Sequence, residues 1–138
     1  MTEPRGVTEV LAPPRHIVLA EDDEDMRTLI SWVLKADGFR ITEVADGRAL
    51  LDFLFRTREH VDLVITDVHM PKLSGLDVLD ACRAQSRFLP TLLITAYGDE
   101  YTRTAASRFG AIAVIDKPLD LDDLRSVVAL LTGVTTLP

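Results

Sequence analysis

The 138-residue chain contains one cysteine, three scattered histidines and no apolar run near membrane-spanning length. Each scarcity excludes a class of protein. Cys82 cannot form an internal disulfide, and zinc sites draw on several closely spaced Cys and His ligands, whereas His16, His60 and His69 stand apart. A reducing, cytoplasmic setting is expected. A spanning helix needs ~20 consecutive apolar residues, and the opening MTEPRGVTEVLAPPR lacks both the basic start and the continuous apolar stretch of a signal peptide. Positive charge is also short, with 15 Lys and Arg against 22 Asp and Glu and a formal net charge of -7. Such a chain repels a phosphate backbone or an anionic membrane, so neither direct nucleic-acid binding nor membrane association is expected. With 47% hydrophobic residues, the length suits one domain that buries roughly two-thirds of its unfolded surface. A second domain is not expected.

What is present is alternation. Residues 1–15 carry three prolines and no sustained period, which reads as a loose leader, and the domain is expected over residues 16–131 with a tail over 132–138. From His16 onward, short β-branched runs (HIVLA, RITEVA, VDLVITD, PTLLITA, AIAVIDK) alternate with segments of helical period. Met26, Leu29, Ile30 and Val33 are expected on the buried face of a first helix, and Leu50, Leu51, Leu54 and Phe55 on that of a second. Further helices are expected from about Gly75 to Ala84 and Asp99 to Phe109, and a fifth through Leu121, Leu124, Val127, Val128 and Leu131, capped by Asp120. Five strands alternating with five helices predict an α/β fold with a parallel sheet covered on both faces. VDLVI, apolar almost throughout, reads as a central strand.

In open sheets of this kind, ligands bind beyond the carboxyl ends of the strands. Those ends are chemically rich here. Glu21, Asp22 and Asp23 follow the first strand, Asp67 ends the third, Thr95-Ala96 ends the fourth, and Lys117-Pro118 ends the fifth. Converging carboxylates repel one another unless a cation offsets them, and oxygen ligands with room for water suit Mg²⁺. The remaining carboxylate can then act as a nucleophile toward a phosphoryl group, with a hydroxyl and an ammonium to take up charge.

The four segments AEDDEDMR, VITDVHMPKLSG, LLITAYGD and VIDKPL resemble, in order and spacing, the response-regulator receiver family of two-component signalling. Asp67 follows Asp22 by 45 positions, Thr95 follows Asp67 by 28, and Lys117 follows Thr95 by 22. The resemblance runs from His16 to Leu131 and implies a flavodoxin-like, doubly wound sheet with strand order 2-1-3-4-5. It also implies a regulatory phosphoacceptor rather than a classical enzyme, one that takes a phosphoryl group on Asp67 from a histidine kinase or phosphotransfer protein. By the same resemblance, Mg²⁺ is held by Asp22, by Glu21 mainly through water, by Asp67 and by the backbone carbonyl of His69. Thr95 and Lys117 contact the phosphoryl group, and His69 and Tyr97 shape water access to it.

Taken singly, these residues have ordinary readings: Asp23, Glu24 and Asp25 are favourable charges at a helix start, Trp32 a packing residue or surface patch, and Gly75 and Gly110 backbone necessities. A flavin protein on the same fold would need a Ser/Thr/Gly-rich phosphate loop where EDDED stands. A phosphorylation-independent interaction module is the other alternative, but degenerate receivers usually lack an acid, the hydroxyl or the lysine, and this chain has all of them. One departure is clear. Three residues before the lysine, where many receivers carry an aromatic switch residue, stands Val114, so coupling is expected through the Tyr97-Gly98-Asp99 loop instead. With no output domain expected, the sequence resembles a stand-alone regulator that binds a protein target or relays phosphoryl groups.

Overall fold

A computed structural model describes residues 13–96 and 100–134. Five strands, β1 (His16–Ala20), β2 (Arg40–Val44), β3 (Leu63–Asp67), β4 (Thr91–Thr95) and β5 (Ala113–Asp116), alternate with five helices. These are α1 (Glu24–Ala36), α2 (Gly47–Arg56), α3 (Gly75–Ala84), α4 (Glu100–Phe109) and α5 (Leu121–Thr132). The strands form one parallel sheet in the order β2-β1-β3-β4-β5, as the resemblance implied.

Strand side chains alternate between the two faces, and the cores follow that period of two. Ile17 and Leu19 of β1 join Leu63 and Ile65 of β3 beneath Ile30 and Leu34 of α1 and Leu124 and Val128 of α5. Val18, Ala20 and Val64 face the opposite way, toward Leu50 and Leu54 of α2 and Val78 and Cys82 of α3. Leu93 and Val114 continue that second face under Ala106 of α4. β1, β3 and β4 are buried at every position, as central strands between two helical layers must be.

Two helix faces differ from expectation. The buried stripe of α1 runs Met26-Ile30-Leu34, leaving Leu29 exposed beside Trp32, which takes the surface reading, and on α2 Phe53 packs inward while Phe55 faces solvent. In both helices the four-residue rows set the line of contact with the sheet, and the adjacent apolar residues fall outside it. α5 runs through Thr132, its C-cap Gly133 sits at φ 71, and Val134 packs on the core. Asp23, Asp46, Ser74 and Asp120 each cap a helix by accepting a backbone N–H, so the connections that follow β1, β2, β3 and β5 end in fixed helix starts. No helix among the described residues is long and apolar enough to cross a membrane.

Candidate phosphoacceptor site

Register brings the chemistry together. Ala20 pairs with Thr66, Asp67 with Ile94, and Thr95 with Asp116, so the residues that end or follow β1, β3, β4 and β5 share one edge of the sheet. Asp67, at the end of β3, is 3% exposed. Its Oδ2 accepts a hydrogen bond from Lys117 Nζ at 2.5 Å, and its Oδ1 accepts the His69 backbone N–H at 3.2 Å. Lys117 reaches across from the end of β5, where its own N–H donates to the Thr95 carbonyl at 2.8 Å and the Lys117–Pro118 peptide is cis.

Carboxylate oxygens of Glu21, Asp22 and Asp67 lie within 4.8 Å of one another. Asp22 is exposed, whereas Glu21 is 4% exposed and one of its oxygens, Oε2, is buried with no hydrogen-bond partner among the described residues. Burial, followed by the adjacent Asp67 carboxylate, pushes the Glu21 carboxyl up to about 7; Lys117 Nζ, 3.9 Å from Oε1, opposes the rise only in part. For Lys117, burial pulls the ammonium down, but Asp67, Glu21 and Asp22 outweigh it and hold the group above its ordinary value. Three hard oxygen donors, one of them a buried carboxylate with an unsatisfied atom, fit a divalent cation of the Mg²⁺ class with water completing its shell.

Thr95 is fully buried at the end of β4, and its Oγ1 has no hydrogen-bond partner among the described residues. A buried hydroxyl without a partner costs free energy, so it suits an acceptor that arrives later. Asp23 stands apart from the acidic group: its carboxylate takes the Met26 N–H at 2.9 Å and caps α1. His69 is exposed beside the site. Tyr97, Gly98 and Asp99, to which the sequence reading gave water access and switching, lie outside the described residues.

Sequence reasoning missed Arg27, whose guanidinium donates to the Glu21 carbonyl at 2.7 Å and stands 3.8 Å from Glu43, bracing the acidic loop against β2. No spacing signals this contact, because it depends on how α1 crosses the sheet. Val114 is half-buried among Val68, Leu93 and Ala106, and beside it Asp116 pairs with Arg103 of α4.

The chain is similar to known proteins along most of its length. The response regulator receiver domain family matches residues 17–129. The transcriptional regulatory protein FixJ of Bradyrhizobium diazoefficiens is 33% identical over 113 residues, covering 82% of this chain and 54% of that protein. Sporulation initiation phosphotransferase F of Bacillus subtilis is 28% identical over 112 residues, covering 81% of this chain and 89% of that one. Chemotaxis response regulator CheY4 of Vibrio cholerae superposes with a TM-score of 0.77 at 26% identity, covering 86% of this chain and 98% of that structure. This chain spans about half the length, or less, of most of the curated relatives it matches.

Proposed function

The chain belongs to the response-regulator receiver family of two-component signalling, and from that premise we propose that Asp67 accepts a phosphoryl group from a histidine kinase or phosphotransfer protein in a Mg²⁺-dependent reaction. The observation that carries the reading is the convergence of the buried Asp67 carboxylate with Lys117, the unpartnered Thr95 hydroxyl and the Glu21 and Asp22 oxygens. In the proposed step an Asp67 carboxylate oxygen attacks phosphorus, an O–P bond forms as the donor's N–P bond breaks, and the donor imidazole leaves with the electron pair and takes up a proton. Lys117 shifts its hydrogen bond from Asp67 to a phosphoryl oxygen, and the Thr95 hydroxyl donates to another. Asp22, Asp67 and the His69 carbonyl would hold Mg²⁺ directly and Glu21 through water. The ion, when bound, supplies charge neutralisation of the phosphoryl oxygens.

The output proposed is a phosphorylation-dependent contact with a protein target, or relay of the phosphoryl group to another protein. Nothing in an acidic surface of net charge -7 favours nucleic acid as the direct partner. Labelled acetyl phosphate tests the reading. Label is expected on the wild-type chain with Mg²⁺, and is expected to be absent with EDTA or in Asp67→Asn. Undiminished labelling of Asp67→Asn would show that the acceptor is another residue.

A further inference from the structure

The loop between β3 and α3 carries an unusual backbone. Leu73 N–H donates to the Pro71 carbonyl at 2.9 Å, and the residue between them, Lys72, sits at φ 73. This is a three-residue γ-turn with a left-handed, non-glycine centre, the rarer and more strained of the two γ forms. Such a conformation persists only where its surroundings over-determine it.

The surroundings are the start of α2. A Cβ on Gly47 would lie 1.9 Å from the Leu73 carbonyl oxygen and 2.6 Å from its carbon, so no side chain fits and the two backbones touch. Gly47 N–H also donates to the Pro71 carbonyl at 3.4 Å, and Lys72 Nζ stands 3.4 Å from Asp46 Oδ2. Asp46 is itself fixed, because its Oδ1 accepts the Ala49 N–H at 2.8 Å and caps α2. At the far end of the loop Gly75 N–H donates to the Val68 carbonyl at 2.9 Å, and a Cβ there would come within 2.5 Å of the Asp67 carbonyl oxygen. The stretch from Val68 to Ser74 is thus closed at its base by Gly75 and held at Pro71 and Leu73 by Gly47.

We infer that Asp46 and Gly47 are positioning residues for the phosphoacceptor site, bracing the strained turn so that the backbone just past Asp67 is held where His69 can serve the metal. The inference rests on the site as read under Proposed function. Neither residue touches the reacting groups. Released from the brace, the turn relaxes away from its left-handed centre and carries the loop with it, which moves the His69 carbonyl while leaving the Asp67 side chain on its strand.

Magnesium titration of the full chain, followed by amide NMR, separates the two layers of this argument. Wild type is expected to saturate, with Asp22→Asn losing most of its affinity; a wild type without saturable binding would overturn the site reading itself. Gly47→Ala is expected to weaken Mg²⁺ binding about tenfold, the loss typical of removing an outer support for a metal ligand. Asp46→Asn keeps a capping side chain for α2 but loses the charge opposite Lys72, and a loss of about threefold is expected. Resonances of β1 and β3 should stay in place in both variants, which a general loss of fold would not allow. Should Gly47→Ala fail to fold, Asp46→Asn decides alone. Wild-type affinity in a folded Asp46→Asn or Gly47→Ala overturns the brace.

Discussion

A buried hydroxyl with no partner separates stability from function at a single residue. Thr95 Oγ1 makes no hydrogen bond among the described residues, so Thr95→Val removes an unsatisfied polar atom and substitutes a methyl of similar volume. Stability is expected to change by less than about 1 kcal/mol, because no intramolecular hydrogen bond is lost. Phosphorylation by acetyl phosphate is expected to slow by about tenfold or more, since one donor to the developing phosphoryl charge disappears. Urea unfolding and the rate of label incorporation measure the two quantities, and a large stability loss with an unchanged rate would make Thr95 a merely structural residue. Asp23 divides in the opposite direction. It caps α1 and stands outside the acidic trio, so Asp23→Ala is expected to cost about 1 kcal/mol of stability while sparing metal affinity.

Between elements, the contact of α4 with β5 decides how a change at Thr95 could travel. Val114 packs half-buried on Val68, Leu93 and Ala106, and Arg103 of α4 pairs with Asp116 one residue before Lys117. A β-branched side chain has few rotamers and little reach, so Val114 fills space rather than swinging inward. Val114→Ala is therefore expected to lower stability by about 1 kcal/mol, near the low end for deleting methyl groups from a core, and to leave the phosphorylation rate unchanged. A comparison of urea midpoints and labelling rates checks this; a changed rate at equal stability would give Val114 a part in the chemistry. Helix faces were partly legible in the sequence. The i, i+4 rows Ile30-Leu34 and Leu50-Leu54 are buried, but Leu29 and Phe55, equally apolar, lie beyond the line where each cylinder meets the sheet. A period of 3.6 gives the direction of a face, while its width depends on the partner surface.

For the molecule as a whole, the acidic edge is expected to couple folding to pH and to metal. The folded chain holds a proton on Glu21 up to about 7, whereas the unfolded chain releases it near the model-peptide value of 4.5. Since the native state binds more protons between those values, this group's stabilising contribution is full below the lower one and is lost as pH rises through the upper. A cation bound by the Glu21, Asp22 and Asp67 carboxylates offsets the repulsion that appears when Glu21 ionises, and it stabilises the native state by mass action. Added Mg²⁺ is thus expected to raise the thermal midpoint more at about pH 8 than at about pH 5.5, and Glu21→Gln to flatten the metal-free pH dependence. Thermal melts at the two pH values, with and without Mg²⁺, test this. Equal pH slopes in wild type and Glu21→Gln would remove Glu21 from the account.

The order of elements, the parallel sheet and the residues at the strand ends were determined by the sequence alone, because hydrophobic period and strand-to-helix alternation are local properties. The polar residues Glu21, Asp22, Asp23, Asp67, Thr95 and Lys117 interrupt that period at positions where no local need explains all of them together. The tertiary structure brings the Asp22 carboxylate to those of Glu21 and Asp67 while Asp23 caps α1, the division that the resemblance and the helix-start reading had implied. It also decided that Thr95 Oγ1 is left without a partner among the described residues, and that Asp46-Gly47, which no sequence signal singled out, presses on the loop beyond Asp67. Contacts of this kind depend on the distance between two backbones brought together by strand register, a quantity that no local pattern of residues encodes.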